Sequence, residues 1–354
     1  MKKAVLITIL IAIGLIVAGG AMSFVSLAAA GFDIKNLFNI SVSGADLNTV
    51  DITEDYTDLE LKIDSDSIEI FKSSDENTHF TYYATDIHDY DVKVEENTLK
   101  IESLDKSASI KDIFVFNFQS EGAKLYLPKE EYDNFTAEVG SGSFSSKEEF
   151  KFDDVELDVG SGSIKLAKMT AKDLNAKTAS GSVHADSCNG TEMSLTSGSG
   201  SVELNDITSD GKVQVKSSSG SVKAYNVTAK TVELKAGSGS VTTENVTCEE
   251  DFQAQSSSGS LNFTNTVSGN KFEGKSGSGS IHLDSCDGAD MNLQASSGSI
   301  KGTVKTVKMF NGTSGSGSVK VPDDDPNGGK CVLHTGSGSI KISIDGMEET
   351  EADD

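Results

Sequence analysis

Arginine and tryptophan are absent from this chain of 354 residues, and proline, cysteine and histidine number only 3, 4 and 5. Without arginine there is no planar fork for bidentate binding of phosphate or carboxylate. All 30 basic residues are lysines, set against 55 acidic ones, for a net charge of -25. So acidic a surface repels phosphate backbones, and nucleic acid is not an expected partner. Few prolines leave the backbone free to build long ladders, which proline interrupts.

Glycine is plentiful, with 34 residues. Much of it sits in stretches such as "KAGSGSVTTENV", from Lys235 to Val246. Gly-Ser followed by an apolar residue recurs with that residue at Phe144, Ile164, Val183, Val202, Val222, Val241, Leu261, Ile281, Ile300, Val319 and Ile340. The gaps are 20, 19, 19, 20, 19, 20, 20, 19, 19 and 21 residues. A flexible linker has no reason to keep such a period; a stack of similar coils does.

Within a coil the inward positions are legible. Two places after the corner stand Leu166, Ala185, Leu204, Ala224, Thr243, Phe263 and Leu283, and five places after it Met169, Cys188, Ile207, Val227, Val246, Thr266 and Cys286. A second apolar pair follows, as in Leu174 and Ala176, Met193 and Leu195, Val232 and Leu234. In three longer coils it shifts by one, to Val213 and Val215, Phe252 and Ala254, Phe272 and Gly274. Polar residues such as Lys165, His184, Glu203, Lys223 and Lys301 alternate with these. Period two means strands with one buried face.

The expected fold is therefore all-β: a parallel β-solenoid, a single-stranded β-helix of about 20-residue coils, rising ~4.8 Å per coil to at least ~50 Å. Glycine at the corner permits backbone angles and close approach that a side chain forbids. Stacked serine hydroxyls can satisfy one another and nearby backbone groups. The match of "VHADSCNGTEMSL" at Val183 to "IHLDSCDGADMNL" at Ile281, 98 residues on, points to internal duplication over five coils.

The solenoid is expected to be preceded by one N-terminal transmembrane helix. Lys2 and Lys3 lead into an uncharged run from Ala4 to Phe32, whose strongest part is "AVLITILIAIGLIVAGGAM". That length spans a bilayer, and the basic flank places the N-terminus in the cytoplasm and the rest outside. The competing reading is a cleaved signal peptide ending at Ala28-Ala29-Ala30. Both export the same body. The expected divisions are residues 1–32, membrane anchor or signal peptide; 33–135, a β cap with irregular first coils; 136–345, the repeat solenoid; and 346–354, an acidic tail. The aromatic residues Phe80, Tyr82, Tyr83, Phe114, Phe116 and Phe118 of the cap suit a larger core or a binding surface. "VPDDDPNGGK", from Val321 to Lys330, lacks the spacing of a calcium loop and reads as a surface turn.

The four cysteines, Cys188, Cys248, Cys286 and Cys331, fall in the third, sixth, eighth and tenth coils. Coils stacked in sequence order put no two of them in adjacent coils, so they read as small core residues rather than disulfides. His184 and His282 lie five coils apart, too far to share a metal. "GNKFEGKS" at Gly269 has the letters of a phosphate loop, but a corner rather than a helix follows it, with Phe272 and Gly274 inward and Lys275 aligned with Lys216. The carboxylates are scattered, and no serine has a histidine at matching register. The protein is not read as an enzyme. No catalytic, cofactor-binding or metal-ligating residue is nominated, and no cofactor.

The anchor running into "GFDIKNLFNI", then "VKVEENTLKIES", "LYLPKEEYDNFTAEVGSGSF" and the long Gly-Ser ladder, resembles a family of bacterial membrane-anchored candidate adhesins with Gly-Ser-rich β-strand repeats, of DUF4097 type. The resemblance covers nearly the whole chain and implies a parallel β-solenoid outside the membrane. It defines no functional residues. The expected function is a cell-surface, membrane-anchored, non-catalytic module of the bacterial envelope for adhesion or structural interaction. It would be held in the cell membrane by a single pass, with an envelope polymer or protein as partner. The alternatives are an accessory of an envelope-stress signalling system and, behind it, a carbohydrate-active β-helix enzyme.

Overall fold

The structure is a computed structural model, and it describes residues 46–85, 88–105 and 122–347. The proposed anchor, Phe114, Phe116, Phe118 and the tail from residue 348 on lie outside the described residues. Among the described residues there is no helix, hence none long and apolar enough to cross a membrane.

Twenty-five strands carry the chain. The first seven are β1 (Asp46–Ile52), β2 (Asp58–Ile63), β3 (Ile68–Lys72), β4 (Thr78–Ala84), β5 (His88–Glu95), β6 (Thr98–Asp105) and β7 (Ala123–Leu127). Then come β8 (Glu131–Val139), β9 (Phe144–Ser146), β10 (Phe150–Val159), β11 (Ile164–Ala167), β12 (Met169–Thr178), β13 (Val183–Asp186) and β14 (Asn189–Ser197). The longest are β15 (Val202–Ser217), β16 (Val222–Ala236), β19 (Leu261–Ser276) and β20 (Ile281–Ala295), with β17 (Val241–Cys248) and β18 (Phe252–Ser256) between them. The chain closes with β21 (Ile300–Val304), β22 (Met309–Ser314), β23 (Val319–Lys320), β24 (Lys330–Thr335) and β25 (Ile340–Ile344).

From β8 to β21 each strand pairs in parallel with its equivalent one coil away. The apolar residue after each corner heads one unbroken column: Ile68, Phe144, Ile164, Val183, Val202, Val222, Val241, Leu261, Ile281 and Ile300 are successive partners. All are buried, as are the second apolar pairs. Two of the longer coils show their extra residue as a bulge, in β15 against both neighbours (at Gly190/Met193 and Ser209/Lys212) and in β19 (at Ser268/Lys271), while in the third the strand breaks between β17 and β18. Two polar intrusions into the core cancel, since the hydroxyls of Thr243 and Thr266 bond at 2.7 Å. Gly274 faces inward where the side chains of Leu293 and Phe263 fill the space a Cβ would take.

The Gly-Ser corners work by proximity. No corner glycine has a positive φ. A Cβ on Gly239 would instead collide with the carbonyl oxygen of Gly220, its counterpart in the neighbouring coil, and the same holds at Gly200, Gly259 and Gly279. Two hydrogen-bond series fasten the corner. The Thr178, Ser197, Ser217 and Ser256 hydroxyls donate to the carbonyls of Gly162, Gly181, Gly200 and Gly239, at 2.7–2.8 Å. The Ser163, Ser240 and Ser260 hydroxyls accept the backbone N–H of Ser182, Ser260 and Ser280, at 3.2 Å.

Left-handed backbone lies elsewhere, four places after the apolar residue that follows the corner, in seven successive coils. Lys168, Ser187, Asp206, Asn226, Asn245, Asn265 and Ser285 all have φ between 45° and 57°. Asparagine tolerates this conformation best among residues with a side chain. Here it also forms a ladder: Asn226 donates to Asp206 at 2.8 Å, Asn245 to Asn226 at 3.0 Å and Asn265 to Asn245 at 2.8 Å.

The coils do not stack in sequence order at the ends, which corrects the simple reading. β2 lies between β6 and β8, and β3 between β7 and β9. The chain thus makes one coil, steps outward to make β6 and β7, then returns to the other side. β4 pairs antiparallel with β7, and β5 with β6. At the other end β24 lies between β20 and β22, and β25 between β21 and β23. The surface turn from Val321 to Gly329 carries the chain back inside. At the C-terminal end the Gly-Ser corners offer the same ladder, so local sequence does not encode the order; at the N-terminal end β2 and β3 are joined by Asp64-Ser65-Asp66-Ser67 instead. One consequence touches the cysteines. Cys331 pairs in register with Met291, so its coil adjoins that of Cys286 after all. Cys286 sits beside Val304 on a different column, and all four thiols are free and buried.

The corner geometry sets a test. The first glycine of the corner is replaced by Ala179, Ser218, Ser257 and Ser296 in other coils, whereas the second never varies. Gly239→Ala should therefore lower stability by about 1–3 kcal/mol, as overpacking does. A Cβ on Gly237 would also meet a carbonyl oxygen, that of Ser218, but other coils accommodate serine or alanine at the first position, so Gly237→Ser should cost less than Gly239→Ala. Urea unfolding followed by circular dichroism measures both, and equal losses would show that the two positions are equally intolerant of a side chain.

Candidate interaction surface

Because register is kept from coil to coil, outward side chains form straight columns. One column precedes the Gly-Ser corner: Asp158, Lys177, Thr196, Lys216, Lys235, Gln255, Lys275, Gln294 and His334 are successive partners. The column after the corner holds Lys165, His184, Glu203, Lys223, Thr242, Asn262, His282, Lys301 and Lys341. Between the two runs the apex, where Ser161, Ser180, Ser199, Ser219, Ser238, Ser258, Ser278 and Ser297 are all exposed.

The turn on the other side of the coil has the opposite character. It carries Asp173, Glu192, Asp206, Asp210, Glu249, Glu250, Asp251 and Asp290, with Lys172, Lys212, Lys230 and Lys271 among them. A shallow groove of about 490 Å³ crosses this turn, with Tyr132, Phe152, Ala171 and Gly190 on its floor and Lys151, Asp153, Lys172 and Asp210 on its rim. Its floor is one column that shrinks from ring to methyl to hydrogen along the stack.

The ionisable groups serve structure. The two histidines of the sequence metal question, His184 and His282, stand on the same column with Glu203, Lys223, Thr242 and Asn262 between them. Among the described residues no three of His, Cys, Asp and Glu gather to hold a metal ion. Burial pushes the Cys188 and Cys286 thiols up to about 11, and those of Cys248 and Cys331 to about 12, so all four stay protonated. In the N-terminal part, His79 bridges Asp51 at 2.6 Å and Asp75 at 2.9 Å, and those bonds raise its pKa. Phe80, Tyr82 and Tyr90 pack ring to ring in the core, while Tyr83 is half-buried. Near the C-terminal end the buried ammonium of Lys308 meets Asp287 and the carbonyl of Gly288, both at 2.7 Å. "GNKFEGKS" lies within β19, with Lys275 on the lysine column as read from sequence.

Glu233 is the most strongly engaged carboxylate of the columns. Burial penalises its charge, but Lys212 at 2.5 Å, Lys235, and Gln214 at 2.8 Å overcome this and hold its pKa at about 2. Its folded value lies below the unfolded one, so its contribution is full above the ordinary carboxylate range and is lost as pH falls towards about 2. Glu233→Gln should flatten stability against pH between about pH 4.5 and 2, and urea titrations across that window test it. An unchanged slope would mean the carboxylate gains nothing from the three donors.

No curated protein matches the chain. Among solved structures, a candidate adhesin of Bacteroides fragilis overlaps with 15% identity, 84% of this chain, 97% of that one and a TM-score of 0.36. A candidate lipid-binding protein of Parabacteroides distasonis gives 17% identity, 85% and 98% coverage and 0.32. A candidate cell adhesion protein of Clostridium sporogenes gives 10%, 84%, 100% and 0.24. At such overlaps no function passes from them to this chain. The model of the Toastrack DUF4097 family, in contrast, matches residues 56–214 and again 208–354, taking in the solenoid from its N-terminal coils to its end. The chain belongs to the Toastrack DUF4097 family.

Proposed function

We propose that this protein is a membrane-anchored, non-catalytic interaction module of the bacterial envelope. On this reading residues 1–32 anchor it in the cell membrane and the solenoid stands outside the cell. The observation that carries it is the set of straight outward columns. A flat array repeating at one coil spacing suits many weak, equivalent contacts with an extended envelope partner. It does not suit the converging groups a reaction needs. The uncharged run after Lys2 and Lys3 supports the anchor.

The full-length chain, kept in detergent and mixed with washed cell-wall sacculi, should sediment saturably at low and at moderate salt. Absence of sedimentation would remove wall attachment and leave the envelope-stress accessory as the reading to pursue, by cross-linking in intact cells. Alkaline phosphatase fused to the C-terminus should be active, and an inactive fusion would place the solenoid in the cytoplasm.

A further inference from the structure

Charge on the solenoid is segregated. From the corner at residues 179–182 onward, the columns flanking the Gly-Ser apex contain Lys177, Lys216, Lys235 and Lys275 on one side. On the other are Lys223, Lys301 and Lys341, joined by Lys320 on β23. From Asp158 and Lys165 on, these two columns hold two carboxylates, Asp158, which Lys177 meets at 3.2 Å, and Glu203, which Lys223 holds at 3.4 Å. Lys235 and Lys275 also reach Glu233 and Glu273, one column farther from the apex. The apex itself carries no charge, only exposed serines. Residues 159–344 carry 18 carboxylates against 17 lysines, so this edge is basic on a nearly neutral stretch; most of the net charge of -25 comes from residues 1–158, with 31 carboxylates against 13 lysines.

We propose that the Gly-Ser edge is a binding track for a linear polymer bearing phosphate along its backbone, lying parallel to the stack of coils; this rests on the interaction-module reading. Hydroxyl and ammonium donors are the groups that coordinate phosphate oxygens. Lysine supplies a point charge on a flexible stem, which tolerates phosphates that do not match the coil spacing. The corners and both flanking columns hold no phenylalanine, tyrosine or tryptophan, only the widely separated imidazoles of His184, His282 and His334, so there is no continuous platform on which successive bases stack. The polymer this edge fits is therefore one without bases. Single contacts are weak, and affinity accumulates along the track. The net acidity of the whole chain opposes binding at long range, but salt screens it beyond about 10 Å while contacts at the edge persist.

The test titrates the full-length chain with inorganic polyphosphate of graded length. Affinity should rise with chain length and level off once the track is covered, and its logarithm should fall linearly with the logarithm of salt concentration. Lys216→Gln/Lys223→Gln/Lys301→Gln should weaken binding on the order of tenfold or more and reduce the salt slope by about three. Ser219→Ala/Ser238→Ala/Ser258→Ala should weaken it without changing the slope. Lys172→Gln/Lys230→Gln/Lys271→Gln, on the acidic turn, should leave it unchanged. Circular dichroism confirms that each variant is folded. Failure to bind at low salt, indifference to the edge substitutions, or equal affinity for single-stranded DNA or polygalacturonate of matched length would each overturn the track. Sacculi that still bind the edge-lysine variant would also overturn it while sparing the interaction-module reading. Polyphosphate binding without sacculus binding would keep the track and remove wall attachment.

Discussion

The approach of one corner backbone to the next is the constraint on which this solenoid depends. At the second glycine of each corner, the carbonyl of the neighbouring coil occupies the place of a Cβ. Nothing but glycine fits, so register at the corner cannot slip by a residue without a clash. The hydroxyl series of Thr178, Ser197, Ser217 and Ser256 adds a bond from each coil to a neighbouring glycine carbonyl. Such bonds satisfy carbonyls that the strand ladder leaves over at a bend, where an unpaired buried group would cost about 1–3 kcal/mol.

Fixed register at the corner propagates outward. A slip of one residue would turn every inward side chain to solvent, so the strands beside the corner inherit its alignment. The bulges of β15, seen at Gly190 and Ser209, and of β19, at Ser268, absorb an extra residue away from the corner. A further register shift lies between Leu283 and Cys286, where β20 meets β21. The corner itself keeps one register from coil to coil, so its small neutral residues and the lysines beside it line up.

Much of this was legible in the sequence. Gly-Ser at intervals of 19 to 21 residues fixed the coil, and period-two alternation named Val202, Leu204, Val213 and Val215 as inward, all now seen buried. Cys188 and Cys286 were readable as core because Met169, Ile207 and Val227 share their column. The left-handed position went unread because Lys168, Ser187 and Asp206 dilute the signal that Asn226, Asn245 and Asn265 carry. The charge-sorted edge escaped for a different reason. Its lysines are spaced unevenly along the chain and align only when the coils are stacked.

The order of the end coils could not be read, and it has a physical use. A solenoid whose last coil is also its chain end can fray, since only one ladder holds that coil. Here β24 and β25 are paired on both sides, so peeling the C-terminal part must open two ladders together. The outermost β22 and β23 are joined to the chain at both ends and cannot drift far when they open. β2 and β3 occupy the same inner position at the other end, with β4 and β5 pairing antiparallel against the outer strands. Reversing the last two coils places β24 and β25 in an inner layer. The shared Gly-Ser of these corners makes that exchange possible without any change in the ladder, which is also why no local pattern announces it.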